Sequence, residues 1–192
     1  MERPKKMPKA KRTERKVVIP CRLSFVHLEK PHAAAEGSEP KYEVSCLIPK
    51  DDTETVEAVK AAIALALDEG KAKFWHGKVP AGMRDFLKDG DEYRPDDENY
   101  QGHYFFGARS AKAVPVLNRL QERLEPSEVY SGCYAMVSAT VFAFNTTASK
   151  GISAGLNAVL KFADGDPLGG GGNAEKDFDG IDMGVDEDLN DL

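Results

Sequence analysis

Three cysteines, one tryptophan and no long apolar run are what this 192-residue sequence has least of, and each scarcity closes a class of function. Cys21, Cys46 and Cys133 are odd in number and widely spaced, which argues against a disulfide framework or a C-x-x-C zinc knuckle. A reducing cytoplasm is the expected compartment. No stretch approaches the roughly 18 apolar residues that mark a membrane span, so no membrane partner is expected. The basic N-terminus has no apolar segment behind it and does not read as a signal peptide. Nucleophile elbow, glycine-rich phosphate loop and H-E-x-x-H are all missing. His27, His32, His76 and His103 are scattered, none at ligand spacing from a cysteine, and read as surface or loop groups. Asp177 to Asp182 has the acids of a calcium loop but a misplaced glycine. No cofactor or metal is expected.

What is present is charge, and it is segregated. The net charge is −6, yet the first sixteen residues carry eight Lys or Arg against two Glu. The last twenty carry eight acids against Lys176 alone, after the flexible run Gly169 to Gly172. Residues 1–16 therefore read as a basic disordered arm, 17–168 as one folded domain, and 169–192 as a glycine-rich linker with an acidic disordered tail. Such a tail can lie on a basic surface until a polyanion displaces it. Its tip, Asp186, Glu187, Asp188, Leu189, Asp191 and Leu192, is the candidate docking segment for partner proteins.

Between the charged ends, apolar residues alternate at period two. Val17 to Phe25 places Val17, Ile19, Cys21, Leu23 and Phe25 on one face, with Pro20 near an edge. Glu29 to Pro40 is loop by composition. Tyr42, Val44, Cys46 and Ile48 form the inward face of a second strand. Asp51 or Asp52 then caps a helix running to about Glu69, with Gly70 as its stop. Lys71 to Tyr100 is irregular, and loops of that length are commonly functional. His103 to Ser110 and Val114 to Leu117 read as strands, Asn118 to Leu124 as a helical turn. Cys133 to Asn145 is a strand with a small apolar face. Ile152 to Phe162 alternates again, with Ala158, Leu160 and Phe162 inward. Five or six strands and one inserted amphipathic helix predict a mainly β, OB-fold-like barrel with long loops.

Chemistry lies in bases interleaved with aromatics. Lys71 to Lys78 contains Lys73 and Trp75; Arg94 to Arg109 contains Tyr100, Tyr104 and Arg109. Arg22, Lys50, Phe144 and Lys150 are candidates to join them. Single strands of nucleic acid are held by cations that track phosphates and by rings that stack bases. Trp75, flanked by charge, reads as a stacking ring, while Tyr104, Phe106 and Phe142 can each be core. The acids Asp89, Asp91, Glu92, Asp96, Asp97 and Glu98 leave a metal-dependent nuclease as an alternative. Pro95-Asp96 lacks the acid-x-Lys triplet that such a motif continues with, so a solvated loop is the plainer account and no enzyme is expected. A protein-binding replication adaptor is the other alternative.

Six phrases carry a resemblance: RLSFVHL from Arg22, PKYEVSCLIPK from Pro40, GDEYRPDDENYQGHY from Gly90, PSEVYSGCY from Pro126, AFN from Ala143 with KGISAGLN from Lys150, and DGDPLGG from Asp164. From about Lys16 to Gly170 the chain resembles a bacteriophage and prophage family of single-stranded-DNA-binding proteins. The resemblance implies an OB fold, single-stranded DNA as partner, and a role in phage replication or recombination in the bacterial host cytoplasm. It also implies replication or recombination proteins as partners of the tail, and leaves a homodimer open. Arg22, Tyr42, Lys50, Arg94, Tyr104 and Lys150 would lie near the DNA face.

Overall fold

The computed structural model describes residues 3–168; the glycine run and the acidic tail, with its docking tip, lie outside the described residues. In chain order the elements are β1 (Lys11–Thr13), β2 (Lys16–His32), β3 (Lys41–Pro49), α1 (Thr53–Lys73), β4 (Lys88–Asp89), α2 (Gly90–Tyr93), β5 (His103–Ser110) and β6 (Val116–Leu117). A short 3-10 turn (Pro126–Glu128) leads to β7 (Tyr134–Asn145) and β8 (Lys150–Ala163). β2, β3, β5, β8 and β7 pair in that cyclic order and close a five-stranded barrel. Only the closing β5–β8 contact among these is parallel. Closure removes the free sheet edges that an open sheet would expose, and the order is that of an OB fold.

The alternating faces meet in the barrel. Val17, Ile19, Cys21 and Leu23 of β2 pack with Val44, Cys46 and Ile48 of β3 and with the small face of β7, Ala135, Val137, Ala139 and Val141. Each fully buried Val, Leu or Ile contributes about 1.5–3 kcal/mol relative to exposure. α1 packs against β7 and β2 through Thr55, Val56, Val59, Ala62, Ala66 and Gly70. Its cap is Asp52, which accepts the Thr55 amide at 3.2 Å. Pro20 sits between the last β1 pairing, at Val18, and the first β3 pairing, at Arg22, where no partner asks for its missing N–H.

Several expectations change. Gly70 does not stop α1, which runs on to Lys73; a side chain there would collide with the Trp75 ring. β2 extends through Glu29–His32, so the loop begins at Ala33. Phe25 leaves the inward face: its backbone takes φ 46°, and the ring is 46 % exposed. A bulge between β7 and β8 shifts the pairing from Ser138↔Ala158 to Ala139↔Leu156, which brings Val159 into the core instead of Ala158 and Leu160. Asn118 to Leu124 is a tight reversal and not a helical turn. The Asn118 side chain accepts the amides of Leu120 and Glu122 there, and Gln121 takes positive φ. The basic arm, expected to be disordered, pairs with β2 through β1. Arg3, Lys9 and Arg15 also form ion pairs with Asp52, Glu54 and Glu69 at the start and along the length of α1.

Candidate nucleic-acid interface

Three pieces of chain distant in sequence border one groove of about 730 Å³: the loop Pro80–Phe86 with Lys88, the β5 positions Gly107 and Arg109, and the β7–β8 hairpin from Phe144 to Ser153. The hairpin turn is held by Thr146, whose amide and hydroxyl both donate to the Ser149 carbonyl at 2.8 and 2.9 Å. Arg84, Lys88, Arg109 and Lys150 line the groove against one acid, Asp85. Asp85 in turn accepts a hydrogen bond from the Tyr93 hydroxyl, which pushes that phenol up from its ordinary pKa. Arg109 leans on Glu43 at 2.9 Å, with its side chain still half exposed.

Two phenylalanine rings stand on β7: Phe144, which lines the groove, and Phe142, two residues before it. Phe144 lies opposite Gly151, and Phe142 opposite Ser153 with Gly155 close by. A Cβ at Gly151 would come within 3.2 Å of the Phe144 ring, so the glycine is what lets that ring come so close to β8. Phe142 is 36 % exposed and does not belong to the core where sequence allowed it.

Elsewhere the cations are already engaged. Lys50 reaches Asp89 at 2.7 Å and Asp91 at 2.6 Å. Those two hydrogen bonds push its pKa above the ordinary lysine value and hold both carboxyls below theirs. Arg22 donates to the carbonyls of Gly132 at 3.1 Å and Asp166 at 2.7 Å, tying the end of the domain to the barrel. Lys73 pairs with Glu69 at 2.7 Å. Arg94 lies between two rings, 4.8 Å from the centroid of Phe25 and 4.7 Å from that of Tyr100. Tyr104 is half-buried beneath Lys50 and Lys60, and Tyr42 is half-buried on β3.

Two expected stacking rings are corrected. Trp75 is buried against Gly70 of α1, and Tyr100 is buried with its hydroxyl donating to Ser24 at 2.9 Å. Burial also pushes the Tyr100 phenol up. Neither presents a face to a base. Of the ten DNA-contact candidates, the structure brings Arg109, Phe144 and Lys150 into the groove. It adds Arg84 and Lys88 to the groove and leaves Phe142, two residues before Phe144 on β7, exposed; the only sequence signal for these was a long loop and an alternating strand. Phe25, with its exposed ring over Arg94, was missed because alternation placed it inward.

The acidic stretch 89–98 is spent on local structure. Asp89 caps the Asp91 amide, Asp91 accepts from Gly102, and Asp97 accepts from Asn99. Among the described residues, it contributes no converging set of three ligands.

A family model described as the Enterobacter phage Enc34 single-stranded-DNA-binding protein matches residues 15–190. The chain belongs to that family. The match runs through the barrel and into the acidic tail. Among solved structures, the single-stranded DNA-binding protein from bacteriophage Enc34 in complex with ssDNA superposes with a TM-score of 0.69 at 32% identity, covering 86% of this chain and 100% of that one. A C-terminal truncation of the same phage protein gives 0.67 at 32% identity, covering 87% and 100%. Protein p50 of Acyrthosiphon pisum secondary endosymbiont phage 1 is 31% identical over 176 residues, 88% of this chain and 94% of its own length.

Proposed function

We propose that this chain binds single-stranded DNA without sequence preference during phage replication or recombination, in the cytoplasm of the bacterial host, and that it is not an enzyme. The observation that carries this reading is the groove beside Phe144, where four cations face one acid. Phosphates lie along Arg84, Lys88, Arg109 and Lys150, and bases stack on Phe144 and Phe142. Arg109 keeps Glu43 on its Nε and offers its remaining N–H groups to a phosphate. Family membership, and a relative solved with ssDNA, support the choice of ligand. The acidic tail competes for the same cations and, once displaced by DNA, docks replication or recombination proteins.

Anisotropy of a labelled oligo-dT tests both halves, using the full chain and a variant ending at Gly172. The expected log–log salt slope is roughly −3 if all four groove cations meet phosphates. Removing the tail tightens binding if the tail competes. A flat salt response rejects the groove as the site. Equal affinity of the two chains removes the competition and leaves the tail as a dock alone.

A further inference from the structure

His27 and His32 are five residues apart on β2, a separation that on an uninterrupted strand means opposite faces and about 16 Å. Here their rings stack at 4.1 Å between centroids and 9° between planes. The strand makes room for this by bulging. His27 pairs with Glu43 and His32 with Lys41, so β2 advances five residues while β3 advances two. Glu43 completes the group: one carboxylate oxygen is 3.5 Å from His32 Nδ1, and the other accepts from Arg109 at 2.9 Å. One donor atom from each of His27, His32 and Glu43 lies within 4.8 Å of the others. His27 is half-buried, the Glu43 side chain is 16% exposed and that of His32 48%, so solvent reaches the group from one side.

The geometry points to a divalent metal site at His27, His32 and Glu43, for zinc or an ion of its coordination class. Two imidazole nitrogens and one carboxylate oxygen are the donor set of open zinc sites, which hold three protein ligands and leave a position for water. Tetrahedral ligand atoms at zinc distances stand about 3.3 Å apart, so small side-chain rotations close the present spacing. The stacked rings separate by rotating toward the ion. Arg109 supplies the outer hydrogen bond that ligating carboxylates carry, on the oxygen other than the one that faces His32. His27, Glu43 and Arg109 form one cross-strand row over β2, β3 and β5, so the site adjoins the groove that Arg109 lines. It does not depend on that groove's binding DNA.

The test is a calorimetric titration of the untagged full chain with zinc chloride, repeated with cobalt chloride while visible absorption is recorded. One equivalent of zinc binds the wild type and gives, with cobalt, the d–d bands of a low-coordinate nitrogen–oxygen site. Losing a ligand in His27→Ala or His32→Ala weakens binding by more than the roughly 10- to 100-fold typical of an outer-shell partner. His76→Ala, distant in sequence, leaves it unchanged. The acidic tail is present in every variant and cancels in the comparison. His32→Gln, at an exposed position, serves if His27→Ala melts early by circular dichroism. Wild type and the His27→Ala/His32→Ala double variant titrating alike overturns the site.

Discussion

Lys150 and Lys50 stand for two regions that composition cannot tell apart. Both are lysines at the end or start of a strand, near aromatic rings and within reach of loops. Lys50 meets two carboxylates from the β4–α2 corner and is neutralised there. Lys150 lines a groove with three other cations and one acid. A cation serves a polyanion best where cations outnumber the acids beside them, because the field of a surface follows its local arrangement of charge and not the total. The rings divide the same way. Trp75 and Tyr100 fill space beneath the surface, whereas Phe142 and Phe144 lie over glycines and a serine, the first exposed and the second half-buried.

The largest expected effect breaks the contrast between the rings. Trp75→Ala removes a buried ring and costs about 3–5 kcal/mol of stability, read as a lowered urea midpoint. The folded variant keeps its oligo-dT affinity; a loss of affinity at full folding would return Trp75 to the interface. Phe144→Ala does the reverse, leaving the melting curve near wild type. It weakens oligo-dT binding by the roughly 1–3 kcal/mol that one stacked base contributes, as anisotropy reads it.

Substitutions of the two lysines sharpen the comparison of charge. Lys150→Ala lowers the magnitude of the log–log salt slope by about 0.7, one phosphate contact, while Lys50→Ala leaves the slope unchanged. Equal slopes for both variants would mean that the two regions are not different in kind. The smallest effect is acid-linked. Lys50 holds the Asp89 and Asp91 carboxyls below their ordinary values. Their contribution to stability is therefore complete above the unfolded carboxylate pKa, about 3.9, and fades as pH falls through the lower folded values. In Lys50→Met that share is absent at neutral pH, so its urea midpoint falls less than the wild type's between pH 5 and pH 3.

The barrel was legible because its strands obey a local rule. Val17, Ile19, Cys21 and Leu23 alternate, as do Val44, Cys46 and Ile48, and a period of two needs no knowledge of the partner strand. The rule failed where a strand changes step. Phe25 lies within an irregularity in pairing and Val159 follows one, and one inserted residue reverses every inside–outside assignment beyond it. The meeting of His27 with His32 is the same failure seen from its useful side. The groove was half legible: Arg109, Phe144 and Lys150 came from residue type alone. Arg84 and Lys88 sat in a loop whose glycines and prolines mark flexibility but give no direction.

The sequence by itself determined the alternating faces of β2 as far as Leu23 and of β3 from Val44 to Ile48, a helix capped by Asp51 or Asp52, the charge separation of the two ends and the family. Each is written in neighbours a few positions apart or in whole phrases. Only the tertiary structure decided which charges are open and which rings are exposed. Lys50 finds Asp91 forty-one positions away, and Tyr100 finds Ser24 seventy-six away. Coulomb attraction and desolvation act across space, so the function of each candidate residue was set by neighbours that the chain brings near only when the barrel closes.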